Sequence, residues 1–341
     1  MRLRNRCLTT WPATLLAFLL LISNAWAQDE FSAPAWSSVT VAVADLDQAL
    51  QLWVGNLGYS KLAQAEGEDP ELATLWRLLP SDIARQALLG LPGPREVSGH
   101  GRLHLVQFSE PGPTIREGAQ VYDAGPQSLV LLASNLTTRV KELQDSGLTF
   151  YSAEPVAGQG PDGKVFRQIR LGIHDQLNLI LRELPAAAGS LNDRGFSNIT
   201  ALVNVVEFAG PEREFLAGVL GLRPVAERSI EGPELEQLMG LSSGAILDIT
   251  GLGPAAQAGG QLELNDYRSN MPGTDLYSVS VPTQLGILHL SYAVEDLEGL
   301  MQGLSSAGFS YSDREYREVI YGKGRFVRFR TPAGFTIEAF E

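Results

Sequence analysis

Apolar and polar residues alternate along Ser38-Val39-Thr40-Val41-Ala42-Val43, which puts Val39, Val41 and Val43 on one face of a strand and Ser38, Thr40 and Ala42 on the other. The period then lengthens. Ala49, Leu52 and Trp53 mark the apolar stripe of a helix predicted over 46–54, with Asp45 placed to cap it. Gly58 follows, where a left-handed residue ends a helix at least cost, and a strand predicted over 103–108 closes the unit. The same order recurs in three more units. The second has a strand over 128–133, cap Asn135, a helix over 137–144, Gly147 and a strand over 177–181. The third has a strand over 199–206, a helix over 211–220, Gly221 and a strand over 261–264. The fourth has a strand over 289–294, cap Asp296, a helix over 297–305, Gly308 and a strand over 335–340.

A finer echo links the halves. Asn56-Leu57-Gly58-Tyr59 answers Val219-Leu220-Gly221-Leu222 at an offset of 163 residues, which reads as duplication of a pair of dissimilar units. Both odd units carry an extra segment at that offset, Pro70-Glu71-Leu72 with Leu75-Trp76 and Pro233-Glu234-Leu235 with Leu238-Met239. Proline in a first turn with apolar residues spaced along it predicts a short helix, suited to cover a pocket mouth or to remain a surface excursion. Pro185 to Ser190 is a small-residue stretch that divides the repeats into an N-terminal domain, 36–184, and a C-terminal domain, 195–341.

Composition narrows the setting. Arg2, Arg4 and Arg6, the apolar run Leu15 to Ile22 and Ala25-Trp26-Ala27 read as a signal peptide over 1–27, which predicts a periplasmic or secreted protein without stable membrane insertion once it is cleaved. The net charge of −13 disfavours nucleic acid and anionic membrane as partners, since both reward a basic face. Cys7 lies within the leader, so disulfides, thiolate nucleophiles and cysteine-held zinc are excluded from the mature chain. A small-molecule substrate and a monomer or homodimer are expected.

The repeated unit resembles the modules of the vicinal oxygen chelate superfamily, the glyoxalase, bleomycin-resistance and extradiol-dioxygenase group. The resembling residues are Val43-Ala44-Asp45-Leu46, Trp53 with Asn56-Leu57-Gly58-Tyr59, Val294-Glu295-Asp296-Leu297, and Thr331-Pro332-Ala333-Gly334-Phe335-Thr336-Ile337-Glu338. The resemblance covers nearly all of 36–341 and implies an α+β fold of tandem βαβββ modules paired into two curved-sheet domains. One fold hosts many chemistries, so the reaction does not follow from it.

Comparing the halves locates candidate chemistry. Ser128 corresponds to His289, Leu181 to Glu338 and His104 to Glu263, so ligand-type residues concentrate in the second half. His289 shares a strand face with Ser291 and Ala293, while Glu263 and Glu338 alternate with apolar neighbours and need a partner or a metal if they turn inward. By the resemblance, Glu263, His289 and Glu338 would be metal ligands, with Glu338 or Glu263 also moving a proton. The ion would be Zn, Mn, Fe, Co or Ni. The fourth ligand position falls at Ala201, or near Asn198 or Thr200, none of them a histidine or glutamate. His104 reads as structural or substrate-contacting. Lys323 and Arg325 either meet an anionic substrate or decorate a solvated turn.

The resemblance implies an isomerase or lyase in which the metal stabilises an enolate or oxyanion. Two alternatives are carried beside it: a metal-free binding or sequestration protein, and an extradiol-type ring-cleaving dioxygenase.

Overall fold

A computed structural model of the chain describes residues 33–341 apart from 92–98, 160–164, 185–190, 234, 237–240, 255–259, 269–272, 319 and 321. The expected leader over 1–27 lies outside the described residues, as does part of the second extra segment. Four modules follow one another. The first comprises β1 (Ser38–Val43), α1 (Leu46–Leu50), β2 (Ser60–Glu66), α2 (Pro70–Trp76), β3 (Ile83–Gly90) and β4 (Arg102–Phe108). The second comprises β5 (Gly125–Ala133), α3 (Leu136–Asp145), β6 (Thr149–Phe150), β7 (Val156–Gln159), β8 (Val165–Gly172) and β9 (Asn178–Glu183). The third comprises β10 (Phe196–Val206), α4 (Ala209–Leu220), β11 (Arg223–Glu231), β12 (Ile246–Gly253) and β13 (Gln261–Arg268). The fourth comprises β14 (Gly286–Ala293), α5 (Leu297–Ser306), β15 (Tyr311–Glu318), β16 (Gly322–Arg330) and β17 (Thr336–Phe340).

Local chemistry sets most of these boundaries. Asp45 Oδ1 accepts the amides of Asp47 and Gln48, and Asp296 Oδ1 accepts that of Gly299, so both expected caps form. Asn135 does not cap. Its backbone is left-handed (φ 49°), and Glu183 Oε1 receives the first amide of α3 at 3.0 Å instead. Gly58, Gly147, Gly221 and Gly308 all take positive φ, between 64° and 93°, as helix stops require.

Pairing between modules departs from chain order. One sheet runs β15-β16-β17-β14-β1-β4-β3-β2 and the other β11-β12-β13-β10-β5-β9-β8-β6, with β7 beside β8. The first and fourth modules thus share a sheet, and the second and third share the other. The division at 36–184 and 195–341 separates repeats, not sheets. The reason lies in the strand edges. Each first strand pairs in parallel with its own module's last strand, which leaves one edge open, and these edges close antiparallel as β1 with β14 and β5 with β10.

Both sheets turn an apolar face to one shared core, which takes Val39, Val41 and Val43 from β1, Leu129 and Leu131 from β5, and residues from all the longer helices. Phe215 of α4 meets Phe309 edge-on at 4.4 Å, tying the third module to the fourth. Thr40 and Ala42 lie on the opposite face of β1, where the candidate chemistry collects.

Candidate functional site

Thr40 stands opposite His104 on one side and His289 on the other, so one row of the first sheet aligns all three across β4, β1 and β14. Glu338 lies one pleat further along β17, opposite Ser291. All four are buried, with His104 and His289 each 1% exposed and Glu338 2%. His289 Nε2 is 3.1 Å from Glu338 Oε2. The other oxygen of Glu338 accepts the Trp76 indole N–H at 2.9 Å and has Arg328 Nε at 3.6 Å.

Trp76 comes from α2, which covers this face as the extra segment's sequence suggested. Asp69 caps α2 by accepting the Leu72 amide, and Pro70 occupies the first turn. Leu72, Leu75 and Trp76 pack with Ala42, Val106 and Phe108 into a second apolar cluster on the inner face. A buried chain of hydrogen bonds fixes the helix start as well: Gln86 Nε2 donates to Asp69 Oδ2 at 2.9 Å, and Gln86 Oε1 lies 3.0 Å from His104 Nε2. With the amide nitrogen spent on Asp69, Gln86 Oε1 must accept. His104 therefore carries its proton on Nε2, leaving Nδ1 to accept from the Thr40 hydroxyl at 3.3 Å. One end of α2 is thus tied to His104 and the other to Glu338.

Electrostatics agree with that assignment. Burial pushes the His104 imidazole down to about 3, helped by the charge on His289 against the pull of Glu338, so the ring is neutral. Burial alone would raise the Glu338 carboxyl, but the charge and hydrogen bond of His289, then Arg328 and Trp76, prevail and hold it at about 2.

Glu263 does not join this site. It lies on β13 in the second sheet, where Arg182 grips it through two contacts at 2.8 and 3.4 Å. Burial acts to raise its carboxyl, and the Arg182 charge and hydrogen bond, with Arg228, outweigh it to give a lowered value. The ligand set Glu263, His289 and Glu338 is therefore corrected: an arginine supplies the counter-charge that a metal was expected to supply. Strand register also corrects the repeat comparison. His289 faces Thr336 and Ser291 faces Glu338, while Ser128 faces Asn178 and Val130 faces Ile180, so Ile180 and not Leu181 matches Glu338. By the same logic Val203, opposite both Ser128 and Glu263, occupies the position of Thr40. The expected fourth position at Ala201, with Asn198 and Thr200, belongs to the second sheet and has no part in the His289 site.

His104, read from sequence as structural or substrate-contacting, is held by Gln86 and Thr40, and its neighbour His289 comes from the far end of the chain. Trp76, Gln86, Asp69 and Arg328 were not singled out; only Trp76 carried a signal, as the large aromatic of the extra helix. Arg325 pairs with Asp313 and Glu298.

The metal that the resemblance implies finds a poor fit among these side chains. Among the described residues no three histidine, aspartate or glutamate side chains converge on one point. Both Glu338 oxygens face donors, an arginine stands beside one of them, and both His104 nitrogens are used. His289 Nδ1 and Ser291 Oγ remain buried without partners. Beside Trp76 opens a cleft of about 620 Å³, bordered by Arg77, Tyr311, Arg328, Arg330 and Thr336. Among the described residues no helix is long and apolar enough to cross a membrane.

No protein-family model and no curated protein matches the sequence. Solved structures do match. Glyoxalase I from Zea mays superposes with a TM-score of 0.60 at 14% identity over 90% of this chain and 92% of that one. A Bacillus subtilis protein described as a "putative dioxygenase" gives 0.57 at 14% identity over 91% and 86%. Likeness at that identity fixes architecture and leaves chemistry open. The modules, their order and these superpositions together establish that this chain has the vicinal oxygen chelate fold.

Proposed function

We propose that the chain is an exported small-molecule-binding protein whose ligand enters the cleft beside Trp76. The carrying observation is that Glu338, the best-placed candidate ligand or base, is neutralised from within by His289, Arg328 and Trp76. A carboxylate so engaged favours binding over metal chemistry. A cleft of about 620 Å³ suits a small organic molecule. Arg77, Arg328 and Arg330 border it, and of these Arg328 also stands beside Glu338; three cations on one rim favour an anionic, oxygen-rich ligand with a planar portion to lie against Trp76 and Tyr311.

A second reading retains a divalent-metal isomerase or lyase. It is favoured by the unpartnered His289 Nδ1 and by His104 standing in the same row. That state requires Trp76 to leave Glu338 and His104 to release Gln86. Purified mature protein equilibrated separately with Zn, Mn, Fe, Co and Ni, then desalted, decides between the two. Binding of aromatic carboxylates that is weakened in Arg328→Gln, without stoichiometric metal, supports the first reading. One metal per chain, lost in both His289→Ala and Glu338→Ala, overturns it in favour of the second.

A further inference from the structure

On the inner face of the second sheet the row that answers the two histidines holds Val203, Glu263 and Ser128, with no histidine. Val130, Ala201 and Val203, with Ile180 beside them, form a buried apolar floor where the first sheet has its polar network. Polar groups gather around that floor instead, and several of them lack partners.

Arg170 on β8 is the clearest. Its guanidinium lies over the Tyr151 ring at 5.0 Å, yet its Nε is buried and without a hydrogen-bond partner, and no ion pair reaches it among the described residues. Burial lowers its affinity for the proton, and Tyr151 and Tyr267, not a carboxylate, act against that. Arg182 on the next strand makes the contrast, since Glu263 answers it directly. Curvature brings Arg170, from β8, within electrostatic reach of Tyr267 on β13, although three strands lie between them in the sheet. Arg116 adds a second positive charge there, anchored by the backbone carbonyls of Gln120, Asp123 and Pro126.

Other partnerless atoms lie on strands of the same sheet. Asn265 and Tyr267 alternate with Glu263 along β13, and Ser128 stands across β10 from Glu263. Asn265 Oδ1 and Ser128 Oγ are buried without hydrogen-bond partners, in residues 8% and 0% exposed, and the buried Tyr267 hydroxyl lacks a well-formed hydrogen bond, with the Asn265 side chain beside it. Buried donors, an acceptor and an unanswered cation are each costly alone. A ligand that reached Arg170 and the Tyr267 hydroxyl would answer two of them together.

The geometry points to a seat for a small organic carboxylate on this face, with the acid group on Arg170 and the Tyr267 hydroxyl and an apolar body over Val130, Ala201 and Val203. A forked guanidinium suits a carboxylate, and the apolar floor selects against a compact, fully hydrated anion. The seat is separate from the cleft beside Trp76, so Arg170→Gln tests it and Arg328→Gln tests the other.

Isothermal titration and thermal melting of the mature chain with hexanoate, benzoate, hexanamide and inorganic phosphate make the test. Hexanoate or benzoate should bind and raise the melting temperature, and hexanamide and phosphate should bind at least about tenfold more weakly. Arg170→Gln should weaken carboxylate binding by about tenfold or more, and Tyr267→Phe severalfold. Without ligand, Arg170→Gln should melt no lower than the parent, because it removes a half-buried charge that no carboxylate answers among the described residues. Equal binding of hexanamide, a preference for phosphate, no binding of either carboxylate, or unchanged affinity in Arg170→Gln overturns the proposal. So does a marked loss of unliganded stability in that variant, which would make Arg170 a structural residue.

Discussion

Replacing Glu338 by glutamine removes the charge from the centre of the first sheet's network while keeping an acceptor for the Trp76 indole. In the folded chain burial pushes the Glu338 carboxyl upward, but His289, Arg328 and Trp76 win and hold it at about 2, against 4.5 for an unperturbed glutamate. At ~1.4 kcal/mol per pH unit, that difference corresponds to about 3 kcal/mol of stability. The sign follows from a depressed folded-state value. As pH falls below 4.5 the unfolded chain takes up the proton first, so the stabilisation is whole above that value and is gone once pH has passed below about 2. The glutamine variant should therefore be about 3 kcal/mol less stable at pH 7, a loss of the size seen when one partner of a buried pair is removed. It should also lack this component of acid sensitivity. Urea unfolding of both proteins, followed by far-ultraviolet circular dichroism from pH 7 to about pH 2.5, gives the difference curve. Other carboxylates titrate in both proteins and cancel in that difference. The gap should close steadily below about pH 4.5. A gap that stays constant across the range would refute the buried ion pair.

Three further outcomes test separate parts of the structure. His104, driven down to about 3 from 6.5 chiefly by burial, should show no imidazole titration by NMR between pH 5 and pH 8, and stability should fall below about pH 6.5 less steeply in His104→Gln; a ring titrating above pH 6 would contradict the Gln86–His104–Thr40 chain. Arg182→Met should cost about 3–5 kcal/mol by leaving Glu263 buried and unpaired, whereas Arg182→Met with Glu263→Leu should recover most of it in urea melts; no recovery would mean that the pair does more than balance its own charges. Gly101→Ala should destabilise by about 1–3 kcal/mol, since a Cβ there would fall 2.3 Å from the Ile199 carbonyl at φ +71°, and an unchanged melting temperature would show that contact to be loose.

Local features were legible because local chemistry decides them. Asp45 and Asp296 announce helix starts, and four glycines announce helix stops, wherever the chain goes next. Asn135 failed as a cap because its backbone is left-handed, and Glu183, forty-eight residues later in the chain, answers the first amide of the helix, a partner that sequence spacing does not reveal. Candidate site residues divide in the same way. His289 and Glu338 lie on neighbouring strands of one module, and they meet. Glu263 was attached to them by repeat position alone and turned out to have its own arginine. His104 read as structural or substrate-contacting, and its nearness to His289 of the fourth module is set by sheet closure, which sequence spacing does not reveal.

The deeper reason is that duplication and sheet closure obey different rules. Duplication copies neighbours along the chain, so Gly58 answers Gly221 and the repeats seem to define the structural halves. Closure joins whichever open strand edges fit, and the alternation of Val39, Val41 and Val43 is equally compatible with a partner strand from any module. Once β1 takes β14 and β5 takes β10, positions equivalent in sequence face different surroundings. The row Thr40, His104 and His289 is answered in the other sheet by Val203, Glu263 and Ser128. One face became a polar network closed over by Trp76; the other became an apolar floor ringed by arginine. A single fold thus presents two inner surfaces whose chemistry must be argued separately, and evidence for a ligand on one carries no weight for the other.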